Sequence, residues 1–403
     1  MLVISAGNLF VLPTANAFSH FPQNQIKIEE HHFPNPRFVR KQVRFWEKVF
    51  SRWPSTTVVV HESGAPDKII DIIDYKSFAK RDKSNIVPRK ERNEVTKRYL
   101  VRYNLALTRF EKLQKDALKY GAIETRVYQV YKRSPKDLQR LFKGQIQLRA
   151  QTGLSDDFKN AAKQAVVYLP EMEKVFHSYG LPISLTRMPF VESMFNVKAY
   201  SKVGAAGPWQ FMPATAREFM YVNSLVDERK SIFKATKAAA KLLAINYREL
   251  KSWPHAITAY NHGRGGMKKA IKLYGKRNYD HTILKYKSRS YGFASRNFYA
   301  EFIAARNVFE KIRKRIEVHP DAILKPTETI ILKKPTSVAQ ILRYSPIKLE
   351  TLKQLNPGIL NSTYTKHQHK PLPKYFALRV PQNKARATQL VLNRIKGKSY
   401  ARR

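Results

Sequence analysis

Glu192 sits in Pro189-Phe-Val-Glu-Ser-Met-Phe195, and no other carboxylate occurs from 174 to 217. Ser201 follows, then Gly204-Ala-Ala-Gly-Pro-Trp-Gln-Phe-Met-Pro213, and far downstream Ala259-Tyr-Asn-His-Gly263. A lone acid, a Gly-rich turn carrying an amide, and a distant Tyr-Asn pair suit cleavage of a glycosidic bond. That reaction needs a proton delivered to the leaving oxygen. A carboxyl delivers it near neutral pH when apolar surroundings disfavour its charged form. Met188, Phe190, Val191, Met194 and Phe195 supply such surroundings around Glu192.

Most glycosidases pair two carboxylates. Here the nearest downstream acids, Glu218, Asp227 and Glu228, lie beyond the Gly-rich segment. A partner from elsewhere in the fold stays open, but sparse acids suit a one-acid reaction. In it Glu192 first protonates the glycosidic oxygen and then takes a proton from the substrate's own hydroxyl. Gly204, Gly207 and Pro208 allow a tight path into a following helix, which brings Ser201 and Gln210 to the sugar or to Glu192. Tyr260 and Asn261 add a hydroxyl and an amide before Gly263-Arg-Gly-Gly266. Trp209, Tyr260 and Phe293 are candidates for stacking on sugar faces. Taken singly, each signal has an ordinary reading: a surface Glu, a turn, a helix C-cap. Their joint order and spacing is what is specific.

These residues need a helical frame. Residues 158–315 contain no alternating, strand-like run and read as a compact all-α block. Helices are expected from Asp157 through Tyr168, Glu171 to Tyr179, Leu185 to Met194, Ala214 to Met220, Lys230 to Leu250, Trp253 to Tyr260, Gly266 to Tyr274 and Arg296 to Arg313. Upstream, residues 18–40 read as an irregular arm. Val43, Phe45, Trp46, Val49 and Phe50 then recur at helical spacing, and Thr56-Thr-Val-Val-Val60 is a short β-like run. Basic amphipathic helices fill most of 67–170. Pro320 to Pro326 reads as a linker. Downstream, Glu328–Leu332, Ser337–Tyr344, Lys348–Leu355 and Ala377–Val380 form a β-α-α-β unit. The stretch from 383 to 403 is a basic tail with a short helix expected at Thr388 to Ile395.

The chain has 403 residues, 43% hydrophobic, enough for two or three domains. Seventy-five Lys and Arg against 30 Asp and Glu give a balance of +45, which favours polyanionic partners. An anionic wall polymer, phosphate-bearing lipid head groups and nucleic acid all meet that description. The absence of cysteine excludes disulfides, thiol catalysis, thiolate metal sites and a Cys-linked lipid anchor. His31-His32 and His367-x-His369 read as loop histidines, so neither metal nor cofactor is expected. Residues 1–17 are uncharged, largely apolar and end Ala15-Asn16-Ala17, as a signal peptide does.

Glu192-Ser193, the run from Ser201 to Pro213, Ala259 to Gly263, and Ser295-Arg-Asn-Phe-Tyr-Ala300 together resemble the soluble lytic transglycosylase (SLT) family. The resemblance is specific over about 170–310. It implies a mainly α protein with a lysozyme-like catalytic domain acting on peptidoglycan glycan strands. It further implies cleavage between N-acetylmuramic acid and N-acetylglucosamine that leaves a 1,6-anhydro ring without hydrolysis. Carried over by position, Glu192 takes the acid/base role, and Ser201, Gln210, Met212, Tyr260 and Asn261 line the site. Phe298 stands where the last motif commonly has Tyr, with Tyr299 beside it, so either is a candidate for the site. Residues 327–382 resemble one LysM module, best at Leu355-Asn356-Pro357, although Lys334-Pro-Thr-Ser337 replaces the usual Gly-Asp-Thr. The implied layout is a signal peptide at 1–17, an N-terminal arm and helical region at 18–157, the catalytic domain at 158–319, the LysM-like module and the tail. An exported, envelope-located enzyme follows, held electrostatically to an anionic wall or membrane surface. Two other readings remain at this level: a wall-binding scaffold with an inactive site, and a basic nucleic-acid binder. The last explains the charge but not Glu192, Gln210 and Tyr260, and no recognised nucleic-acid-binding signature is present.

Overall fold

The computed structural model describes residues 30–77, 89–318 and 324–395, so the expected signal segment lies outside the described residues. The molecule is mainly α, and its described residues form three small antiparallel sheets. They are organised around three apolar cores.

Helix α1 (Arg37–Ser51) buries Val39, Val43, Phe45, Trp46, Val49 and Phe50 on one face. Although it stands in the N-terminal region of the sequence, that face enters the core of the middle block. Strand β1 (Thr57–Glu62) pairs with both β2 (Ala65–Asp74) and the distant β3 (Leu148–Thr152). Its run of valines is explained by a sheet covered on both faces. Val59 points into the middle core, while Val58 and Val60 point into an N-terminal one. That second core is closed by α2 (Arg89–Leu113), α3 (Ala122–Tyr131) and α4 (Pro135–Phe142).

The middle block begins with α5 (Ser155–Ser178), a single helix running through Pro170. Two helices were expected there, split near residue 170. The apolar stripe explains the continuity: Phe158, Ala161, Ala165, Leu169, Met172 and Phe176 are buried at unbroken helical spacing. A 3-10 turn (Ile183–Arg187) leads into the short α6 (Met188–Ser193). Then come α7 (Pro213–Arg217), α8 (Ile232–Leu250), α9 (Trp253–His262), α10 (Arg264–Tyr274), α11 (Tyr279–Lys285) and α12 (Phe293–Ile312). Helix α12 is the spine of the block, lying against α1, α6 and α9.

At the C-terminal end β4 (Thr327–Ile331) pairs antiparallel with β5 (Ala377–Pro381). Between them lie α13 (Val338–Tyr344) and α14 (Leu349–Leu355), as the sequence pattern predicts. In the stretch read as a basic tail, the short helix expected at Thr388 to Ile395 is the longer α16 (Gln382–Arg394), counted after the one-turn α15 (Asn361–Tyr364). Its Ala385, Thr388 and Leu392 are buried in the module's core.

This module is seated on the middle block. Val226 bridges to Ile359, the Asp227 amide donates to Gly358 O at 2.7 Å, and the Leu360 amide donates to Leu225 O at 3.0 Å. The Arg379 guanidinium lies 3.6 Å from the centre of the Phe233 ring. A side chain at Gly358 would crowd the Glu228 Cα at 3.1 Å.

Candidate active site

Glu192 is the penultimate residue of α6. The helix is short because Pro189 occupies its first turn and Met194 ends it in the left-handed region at φ 51°. Phe195 follows at φ 54°. Two consecutive non-glycine residues in that region are costly and need support from their surroundings. Phe195 is fully buried and packs edge-on against Phe190 at 4.5 Å, while the Ser193 hydroxyl donates to Pro208 O at 2.9 Å. Beneath α6 the fully buried Arg187 ties α5 to α12 by pairing with Glu173 and with Glu310. The turn carrying Glu192 is thus fixed from both sides.

The Glu192 side chain is half-buried, and it forms no hydrogen bond or ion pair with the described residues. Burial pushes its carboxyl up to about 8, and the negative charge of Glu301 adds to the effect. At neutral pH the group is therefore mostly protonated, as a general acid requires.

The Gly-rich segment forms a tight knot beside it. The Ala205 amide donates to Ser201 Oγ at 2.9 Å, and the Ser201 amide donates to Ala205 O at 2.8 Å. Gly207, at φ 74°, passes so close to Arg229 O that any Cβ would strike it. Arg229 is buried, is held by both oxygens of Asp227, and donates to Gly204 O at 2.7 Å and Phe211 O at 3.1 Å. Gln210 adopts φ 47° and donates from Nε2 to Gly207 O at 2.8 Å. Met212 is 43% exposed at the start of α7, an apolar contact open to a ligand.

Tyr260 is half-buried on α9. Its hydroxyl donates to Trp209 O at 2.9 Å, which links α9 to the Gly-rich knot. Burial and the charge of Glu192 push its ionisation well above the ordinary range, so the hydroxyl stays a donor. Asn261 is exposed, and its Oδ1 accepts from Ser295 Oγ at 2.7 Å. The Phe298 ring lies parallel to that of Tyr260 with centres 6.5 Å apart, so Phe298 backs the site as a floor. Beside Tyr260 opens a cleft of about 500 Å³, where Glu249 is paired to Arg264 and Lys268.

Three candidates are placed elsewhere. Tyr299 is fully buried and turned toward the N-terminal segment, its hydroxyl donating to Pro34 O at 2.9 Å. Trp209 is fully buried, stacked on Phe176 at 5.7 Å and bonded to Thr236, so it cannot face a sugar. Phe293 is covered by the Arg149 guanidinium at 4.1 Å.

Two of the nearest downstream acids are engaged elsewhere. Asp227 and Glu228 are buried and serve Arg229, Lys234 and the Tyr221 amide. Glu301 is the carboxylate within electrostatic reach, and the sequence reading missed it. Helical spacing could have found it, since Glu301 stands one turn beyond Phe298 on α12. Among the described residues no group of three His, Asp or Glu could hold a metal ion.

Residues 170–283 match the family model described as the transglycosylase SLT domain. That stretch is similar to an SLT domain. It contains Glu192, the Gly-rich knot and the Tyr260-Asn261 pair. A protein of Alteromonas sp. (strain M-1) named for tributyltin chloride resistance is 36% identical over 117 residues, 28% of this chain and 55% of the relative. Membrane-bound lytic murein transglycosylase D of Escherichia coli (strain K12) is 25% identical over 189 residues, 46% of this chain and 41% of the relative. The chain thus spans about half the length of the curated relatives it matches. An inactive mutant of lytic transglycosylase Slt from Pseudomonas aeruginosa overlaps at a TM-score of 0.32 with 17% identity, covering 54% of this chain and 34% of that one. An overlap of that size does not define a fold.

Proposed function

We propose that the protein is a peptidoglycan lytic transglycosylase. Its action is to cleave the N-acetylmuramic acid–N-acetylglucosamine β-1,4 bond without water and leave 1,6-anhydro ends. The observation that carries this reading is Glu192: a half-buried carboxyl with no hydrogen-bond partner, pushed up to about 8, inside an SLT domain. Glu192 protonates the glycosidic oxygen, then as carboxylate accepts the proton of the C6 hydroxyl that closes the ring. Tyr260, Ser201, Gln210, Met212 and Asn261 are the proposed contacts to the strand, with Phe298 behind Tyr260. The unit spans about 158–319, with α1 completing its core. The module at 327–382 is proposed to hold glycan as a LysM unit would, and the protein to act outside the cytoplasm on an anionic wall to which its +45 balance draws it.

Glu301 favours a second reading. A carboxylate near Glu192 that activated water would make the enzyme a hydrolase. Digestion of purified sacculi by the wild type and by Glu192→Gln, with product masses measured, separates the two. Anhydro-ended muropeptides from the wild type alone support the lyase. Reducing ends establish the hydrolase and refute the lyase. No product from either protein leaves a wall-binding scaffold and sinks both.

A further inference from the structure

The cleft beside Tyr260 has no part in the proton transfers proposed for Glu192, yet its walls are charged. Helix α8 supplies Glu249, and α10 supplies Arg264 and Lys268, which share one face because they stand four residues apart. Arg264 Nε lies 3.0 Å and Lys268 Nζ 2.6 Å from the same oxygen, Glu249 Oε2. One carboxylate offsets only one of the two cations, so this wall keeps a surplus positive charge. Asn246 on α8 fixes its geometry. That side chain is buried, donates from Nδ2 to Ala256 O at 3.2 Å, and accepts from Arg264 Nη1 at 3.5 Å. Glu249 and Asn246 use only some of the N–H donors that the two cations carry, which leaves donors for a second anion.

Another wall has the opposite sign. Glu218, the residue that ends α7, lines the same cleft. Its exposed carboxylate has no hydrogen-bond or ion-pair partner among the described residues. Gly263 and Gly265 also line the cleft, and a Cβ at either would meet nothing within 4 Å, so the backbone there lies open to a ligand.

We propose that this cleft binds a peptide that presents a carboxylate to Arg264 and Lys268 and an ammonium group to Glu218. In peptidoglycan that chemistry belongs to the peptide branches on muramic acid. The inference therefore rests on the proposed function and extends it from the sugar strand to its side branches. A neutral sugar would cover these charges without countering them, which is unfavourable. A polyanion would suit Arg264 and Lys268 but meet repulsion at Glu218. Tyr260 stands at the boundary: it lines the cleft, and its hydroxyl is bonded to Trp209 O of the Gly-rich knot. A branch seated in the cleft leaves its own sugar beside that knot, so the enzyme would tell substituted strands from bare ones. The guanidinium held by Asn246 is set before the ligand arrives, which lowers the ordering cost of binding.

The test is an NMR titration of the full chain, followed at the 15N-labelled amides of Gly263 and Gly265. The probe is the tripeptide N-acetyl-alanyl-γ-glutamyl-diaminopimelic acid, used free, with its carboxylates amidated, or with its remaining amine acetylated. The wild type is expected to bind the free peptide with shifts at both glycines. Each blocked form should bind about tenfold more weakly, the scale of one lost hydrogen bond between charged groups. Lys268→Gln should weaken the free peptide by a similar factor and discriminate less against amidation. Glu218→Gln should no longer discriminate against acetylation. Both side chains are exposed, so neither change disturbs the core. No shift at Gly263 and Gly265, equal binding of free and blocked peptides, or variants that bind as the wild type does overturn the inference. The peptide contains no glycosidic bond, so the outcome is independent of cleavage. A protein that cuts sacculi without binding the peptide refutes this site and keeps the proposed function; one that binds it and never cuts does the reverse.

Discussion

Replacing Glu192 by Gln removes one ionisable proton at nearly constant volume, so its two consequences separate cleanly. Activity should fall by about 10²–10⁴-fold or more, the scale of a lost general acid. Stability should move the other way. A carboxyl taken from its ordinary 4.5 up to about 8 corresponds to about 5 kcal/mol between its protonation states. Partial exposure and the charge shared with Glu301 reduce this to about 2 kcal/mol. The sign follows from linkage: the folded state holds the proton more tightly than the unfolded one, so wild-type stability falls as pH rises from about 4.5 through about 8. Gln mimics the protonated form at every pH. The variant should therefore match the wild type at pH 4 and melt roughly 4–8 °C higher above pH 8. Thermal melts across that range, paired with sacculus digestion, make the measurement. Melting curves that coincide at alkaline pH, or a variant keeping more than about a tenth of the activity, would refute the argument that burial tunes this acid.

Further outcomes follow from the surroundings of the site. Gly207→Ala should unfold or rearrange the knot, because its Cβ meets Arg229 O; loss of activity with a lowered melting temperature checks it. Arg187→Met leaves Glu173 buried without its partner and should cost about 3–5 kcal/mol in denaturant unfolding. Truncation at residue 326 strips the cover from Val226 and should lower the stability of the middle block itself, besides slowing the proposed digestion of insoluble wall. Binding to sacculi should weaken steeply with added salt, as a +45 balance requires; salt-independent binding would show the charge to be idle.

Local pattern revealed most of the frame and pointed to candidate chemistry on contiguous segments. The helices from Lys230 to Tyr274 and the β-α-α-β order at the C-terminal end are set by spacing and punctuation, which a sequence displays directly. Glu192, Gln210 and Tyr260 were singled out because the Gly-rich turn and the Tyr-Asn pair are specific as a set, and the fold brings the knot and Tyr260 together through the bond to Trp209 O. Tertiary partnership was not legible. Whether Trp209 faced a sugar or Phe176 depended on which neighbours covered it, and they lie far off in the chain. That Glu301 comes within electrostatic reach of Glu192 depends on how α12 crosses α6. The break expected between Tyr168 and Glu171 is absent for a different reason: Pro170, which would break an isolated helix, is tolerated where both halves bury one continuous stripe.

The loop that carries Asp227 and Arg229 faces two ways. On one side it grips the Gly-rich knot beside Glu192, and on the other it is stitched to Gly358 and Ile359 of the C-terminal module. The module therefore cannot swing as a tethered hook does. Under the proposed function, whatever the module holds would sit at a set offset from Glu192, so the molecule would have the geometry of a gauge, measuring from grip to cut.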